Sequence, residues 1–343
     1  MDVESLPAAR ATRIRFTSSR AFWMLVGLLI SLGLAWYLLS KVNLDEFGRI
    51  ARNVPLWSLV LAFGLYVLLN FWRALRFRVP LNHDEVSVRI LFPITLYHNF
   101  LVRTLPFRTG ELAYITLLRQ YLRQPVSDGF SSLLGARLFE LLLVIMGGLA
   151  GLLLSSIQLV EQGQLVLAFL VGGFVLCLFV IYQAGRLTRF LALLWQRTTD
   201  RTRWKRHTII SMVEQKLQVV AIQLDRMHEP RMFASMLLFS TCTYSTNAIF
   251  YMVVMKALGL DAPIGILLPI ISLGMLASFF PLSFLELGVI ESGFTFGMVI
   301  LAGVDMGQAV PIAFFLHGFQ MLCAAITGVI GYLTLQLAAQ AES

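Results

Sequence analysis

Apolar blocks of about 20 residues recur along this chain, and Lys and Arg gather in the short stretches between them. A helix rises about 1.5 Å per residue, so such a block crosses a hydrocarbon core of about 30 Å. Lipid offers no water to satisfy the backbone, so an apolar block of that length must be a helix. Composition agrees. The chain is 58% hydrophobic and 13% charged, where soluble domains run about 45–50% and about 25%. An ordinary cytosolic enzyme and a disordered chain are both excluded. The expected class is an all-α polytopic membrane protein. Its 343 residues have space for about six to eight membrane elements and no sizeable soluble domain.

The net charge of +8 would suggest nucleic acid in a soluble protein. Here the bases sit between apolar blocks, where they set orientation, so no nucleic-acid partner is expected. Residues 1–20 carry Arg10, Arg13, Arg15 and Arg20 ahead of an uncleaved apolar run. They read as a cytosolic basic N-terminus followed by a signal anchor. Spans are expected at 21–40, 55–72, 130–154, 165–182, 233–256 and 312–335. Arg73, Arg76, Arg78 and Arg89 form an expected cytosolic loop. Residues 184–231 are the most basic stretch. Within it Ile210, Val213, Leu217, Val220, Leu224 and Met227 recur at helical spacing. That pattern makes an amphipathic helix, either on the anionic inner leaflet or packed on the bundle. The chain thus divides into membrane halves at 21–183 and 232–336, with a short tail at 337–343.

Two segments do not fit simple crossings. Residues 90–118 lie between two cytosolic loops, yet two full crossings need about 40 residues, and Arg103, Pro106, Arg108, Gly110 and Glu111 interrupt the segment. It reads as a helical hairpin that enters and returns. Residues 263–303, broken at Pro281 and Gly288, form a second hairpin entering from the other side; its length also allows two further spans. About six full spans plus two oppositely oriented hairpins suggest an inverted repeat.

Charges inside apolar context carry the functional information, because each costs about 2.5–3.5 kcal/mol at the bilayer centre unless paired or hydrated. Three groups stand out. Asn99, Arg103, Pro106, Arg108, Gly110 and Glu111 surround the first break. The planar fork of Arg108 suits a phosphate, and Glu111 would hold that Arg or meet an amine. A solvated turn is the alternative. Arg137 and Glu140 are three apart and share a helix face, as an internal ion pair or as part of a site. Glu286 and Glu291 straddle Gly288, and the nearest base in sequence is Lys256. They would meet Arg103, Arg108 or Arg137 in space, face water, bind a cation, or be protonated. A cross-hairpin pair would bring both hairpins to one site; an exposed outer loop is the alternative. His98 and His317 read as core hydrogen-bonding groups. Gly147 and Gly151 read as a close-packing face.

Enzyme motifs are mostly missing, and no His/Cys cluster has metal spacing. No metal or cofactor is expected. Cys177, Cys242 and Cys323 all fall in apolar blocks and read as small core residues.

The run from Asn99 through Pro106-Phe107-Arg108-Thr109-Gly110-Glu111-Leu112, then Arg137-Leu138-Phe139-Glu140, then Pro281-Leu282-Ser283 and Leu287-Gly288-Val289-Ile290-Glu291, resembles the lysylphosphatidylglycerol synthase transmembrane region. That flippase-like family of bacteria and archaea is familiar ahead of a soluble lipid aminoacylase. The resemblance implies an inner-membrane protein that binds or moves phospholipid or another lipid-linked head group. By position it implicates Asn99, Arg108, Gly110, Glu111, Arg137, Glu140, Gly288 and Glu291. There are departures. Tyr114 stands near a common Arg, Glu286 stands where Gly is usual, and Ile290 stands where Arg is frequent. The local charge is shifted toward acid. The sequence ends eight residues after Leu335, so no aminoacylase domain is expected, and aminoacylation by this chain alone is not either. The expected function is therefore lipid translocation without enzyme chemistry. Arg108, Arg137, Glu111, Glu140, Glu291 and Asn99 would form the head-group site. An accessory subunit that positions a separate lipid- or glycan-modifying enzyme is the alternative.

Overall fold

A computed structural model describes residues 52–81, 86–105, 109–155, 161–201, 218–279 and 286–341, with a few single positions before residue 52. The expected anchor span at 21–40 lies almost wholly outside the described residues. So do Pro106, Arg108 and Pro281.

The described residues are helical throughout their ordered elements. Helix α1 (Leu56–Arg78) starts after Pro55, which is extended and, as a proline, has no amide hydrogen to satisfy. A hairpin follows, α2 (Val88–Thr104) and α3 (Gly110–Leu122). Then come α4 (Val126–Leu154), α5 (Glu161–Arg201) and α6 (Pro230–Ala257). The second hairpin is α7 (Ile264–Ala277) and α8 (Val289–Ala302), and α9 (Met306–Ala341) closes the bundle. Among the described residues, α1, α4, α6, α9 and residues 166–190 of α5 are long and apolar enough to cross a membrane.

The arms of both hairpins are short. Helices α7 and α8 have 14 residues each, which at 1.5 Å per residue is about 21 Å. Helix α3 has 13 residues and α2 has 17. No arm reaches the roughly 30 Å of a hydrocarbon core. By length the arms of the second hairpin fit half-crossings better than complete spans.

The two halves pack in exchanged fashion. The most extensive pairing is α2 against α9, and its counterpart is α7 against α4; α1 and α6 pack on each other between them. Pro93 and Pro269 are each the sixth residue of their hairpin's first arm. Each meets glycine on a long span of the other half: Gly331 on α9 lies against the Pro93 carbonyl, and Gly151 on α4 against the Pro269 ring. A helix with proline in its body and a facing glycine allow close backbone approach. Gly147 packs on Tyr244 and Gly148 on Ser272, as the close-packing face requires. At the first break, Gly110 sits directly on the backbone of Leu101 and Val102, where no β-carbon fits.

The expected basic loop after residue 72 is instead the end of α1. Ala62, Tyr66, Leu69, Arg73 and Arg76 follow one another at spacings of four and three, and all are buried. The two arginines continue the apolar stripe and face Glu140, so the helix persists. The described part of the amphipathic segment, helical at 218–226, packs on the bundle: Val220, Leu224 and Met227 are buried with Ala184, against Leu134, Leu138 and Met232.

Candidate functional site

The end of α1, the middle of α2, the first half of α4 and the break of the second hairpin meet at one polar cavity of about 50 Å³. Its centre is Glu140. Arg137 lies one helical turn away on α4 and donates from Nη1 to Glu140 Oε2 at 3.1 Å. Arg76 donates from Nη2 to the same oxygen at 3.3 Å. Arg73 places Nη2 3.6 Å from Glu140 Oε1. The second nitrogen of Arg137, Nη2, reaches Glu111 Oε1 at 3.1 Å, tying α4 to α3. Arg73 Nη1 also donates to Asn99 Oδ1 at 3.0 Å, and Asn99 Nδ2 donates to Tyr66 Oη at 2.5 Å.

A second ion pair lies across the cavity. Arg103 Nη1, on α2, donates to Glu286 Oε2 at 3.1 Å, 183 residues away in sequence. It joins the two hairpins at their breaks. Glu286 has φ +58, in the left-handed region, where an L side chain costs about 1–2 kcal/mol. Gly288, at φ +79, carries the rest of that turn into α8. A glycine at 286 would be unstrained; here a glutamate stands there, with its carboxylate held by Arg103.

The cluster contains Arg73, Arg76, Arg103 and Arg137 against Glu111, Glu140 and Glu286, an excess of one positive charge. Its donors are not used up. Nε and Nη1 of Arg76, Nε of Arg103 and Nε of Arg137 are buried without an acceptor among the described residues. A buried guanidinium donor left without an acceptor costs roughly 1–3 kcal/mol. These donors and the surplus charge suit an anion with several oxygens, such as a phosphoryl group. By volume the cavity is on the scale of a few water molecules and too small for acyl chains.

Of the residues expected at a site, Asn99, Glu111, Arg137 and Glu140 converge here, and Gly110 closes the α2–α3 turn beside them. Glu291 does not join them. It lies in the first turn of α8 and points to α9, where its Oε1 is 2.7 Å from His317 Nδ1. The expected arginine partner goes to Glu286 instead, because the left-handed turn at Glu286 and Gly288 sends the two carboxylates to different neighbours. His317 is buried and hydrogen-bonded, with this carboxylate as its partner. His98 is also buried, with Nδ1 3.2 Å from the Gly110 carbonyl oxygen. Arg73 and Arg76 were missed as site residues because a basic run after an apolar block reads as a loop. Their continuation of the four-and-three spacing was the available signal.

The family model of the lysylphosphatidylglycerol synthase TM region matches residues 24–328. The chain belongs to this family. No curated protein and no solved structure matches it. The matched span contains both hairpins and every member of the Arg/Glu cluster. Membership and the apolar spans together make the chain a multi-pass integral membrane protein of a lipid-related family.

Proposed function

We propose that this chain is a flippase-like translocase of a bacterial or archaeal inner membrane, with its N-terminus in the cytosol. It binds the phosphate of a phospholipid or lipid-linked head group and moves it without bond chemistry. The observation that carries this reading is the buried Arg/Glu cavity between two short-armed hairpins, with a surplus positive charge and unpartnered guanidinium donors. Short helices that end at a shared polar site are the arrangement many transporters use to expose a bound group to one side and then the other. The head group occupies the cavity while the acyl chains stay in lipid. Arg76 and Arg137 receive the phosphate, Glu140 holds the arginines in place, and Asn99 and Tyr66 orient Arg73. The sequence has no P-loop, so movement is passive or ion-coupled.

The test is head-group accessibility of a labelled phospholipid in proteoliposomes. Arg137→Gln is expected to slow equilibration between leaflets by about tenfold, the equivalent of one charge-assisted hydrogen bond of about 1.4 kcal/mol. Arg137 is the suitable probe because its side chain is 27% exposed, so its loss is tolerated better than that of Arg76. Equilibration at the wild-type rate by a folded Arg137→Gln protein overturns this reading.

A further inference from the structure

The Arg103–Glu286 pair differs from the rest of the cluster in ways that bear on how the cavity loads. Glu140 is shared by three arginines, so no incoming anion readily displaces it. Glu286 has a single ion-pair partner among the described residues, at the cavity wall, with side-chain exposures of 10% for Arg103 and 13% for Glu286. It is held there against its backbone, since φ at 286 is +58. Arg103 keeps a buried Nε without an acceptor even while the pair is made. Among the described residues, this is the ion pair that links one hairpin to the other.

We propose that Glu286 is a resident anion that a lipid phosphate displaces from Arg103, so that loading the cavity unlinks the two hairpins. This rests on the head-group reading above and adds to it a residue that sets affinity and couples binding to movement. A phosphate presents more acceptor oxygens than a carboxylate, so it takes the paired donors of one guanidinium edge, Nη1 with Nη2 or Nε with Nη2, where Glu286 meets Nη1. The released glutamate no longer holds its backbone in the left-handed region, which favours the exchange further. Between ligands, the resident carboxylate neutralises Arg103 and keeps the hairpins closed.

The experiment uses the full chain in detergent. Binding of dihexanoyl phosphatidylglycerol and of inorganic phosphate is titrated by calorimetry for wild type, Glu286→Gln and Glu286→Gly. Gln removes the charge and keeps the strained backbone; Gly removes both, so a folding defect in the first leaves the second informative. Both variants are expected to bind the short-chain lipid about tenfold tighter, since a like charge beside the phosphate is gone. A gain for inorganic phosphate alone overturns lipid as the occupant. Spin labels at Leu112 on α3 and Phe296 on α8, both exposed, report hairpin separation. The wild-type distance is expected to shift on lipid addition, and the Glu286 variants to show the shifted distance without lipid. Wild-type binding with unchanged affinity and distance in both variants overturns the displacement and leaves the head-group site standing. Absence of binding in wild type and variants alike overturns both.

Discussion

Two sets of buried ions lie in this bundle, and they are built on different terms. The Glu291–His317 pair is one acid against one base, 2.7 Å apart, with side chains 1% and 2% exposed. It sits in the α8–α9 interface and does not line the polar cavity. The Glu140 cluster sets three arginines on one carboxylate and spreads over α1, α3 and α4, with side chains from 2% to 27% exposed and a cavity at its edge. The first is balanced, one acid to one base, although Glu291 Oε2 and His317 Nε2 are also buried without a partner among the described residues. The second has charge and donors to spare. Burial alone therefore does not mark a binding site; an unbalanced, partly open cluster does, because only a ligand completes it.

Breaking the hub of the cluster should have the largest effect. Glu140→Gln leaves Arg73, Arg76 and Arg137 mutually repelling in a buried space. A loss of about 5 kcal/mol or failure to fold is expected, measured by thermal unfolding in detergent. A cluster that tolerates this change would be better hydrated than its burial implies. The pair offers a sharper contrast. His317→Leu alone should cost about 3–5 kcal/mol by stranding Glu291, whereas Glu291→Leu with His317→Leu should return to within about 1 kcal/mol of wild type. The matching double change at Arg137 and Glu140 should show no such recovery, because two arginines remain. Head-group movement by the Glu291/His317 double variant should stay near the wild-type rate. A loss there would place the pair in transport and erase the distinction between the two sites.

The smallest expected effects test the exchanged packing. Gly151→Ala and Gly331→Ala each press a methyl group on the other half's hairpin, beside Pro269 and Pro93. Each should cost about 1–3 kcal/mol, and the two losses should match. Unequal losses would mean that the halves share a packing pattern without sharing its energetics.

Much of the architecture was legible in advance. The helix-breaking Pro106 and Gly110 within a short apolar segment pointed to a hairpin at 90–118, although one of the basic stretches taken to bracket it is the end of α1, and the break at Gly288 located the second. Arg137 and Glu140 were legible as a pair because three residues along a helix is a contact distance. Arg73 and Arg76 were not, since a basic run beside an apolar block carries the same composition in a solvated loop and in a buried helix end. By spacing Glu286 and Glu291 were alike, two acids around one glycine, and the family resemblance favoured Glu291 for the site.

The sequence by itself determined that the chain is a helical membrane bundle with two broken hairpin segments and that charges of both signs lie within it. Hydrocarbon imposes those outcomes locally, through span length and the cost of a bare backbone. Tertiary structure alone decided which charges meet. Arg103 and Glu286 are 183 residues apart, and a left-handed turn sends one glutamate to the arginine and its neighbour to His317. Ion pairing acts over a few ångströms of space and is indifferent to distance along the chain, so only the packed bundle could choose the partners.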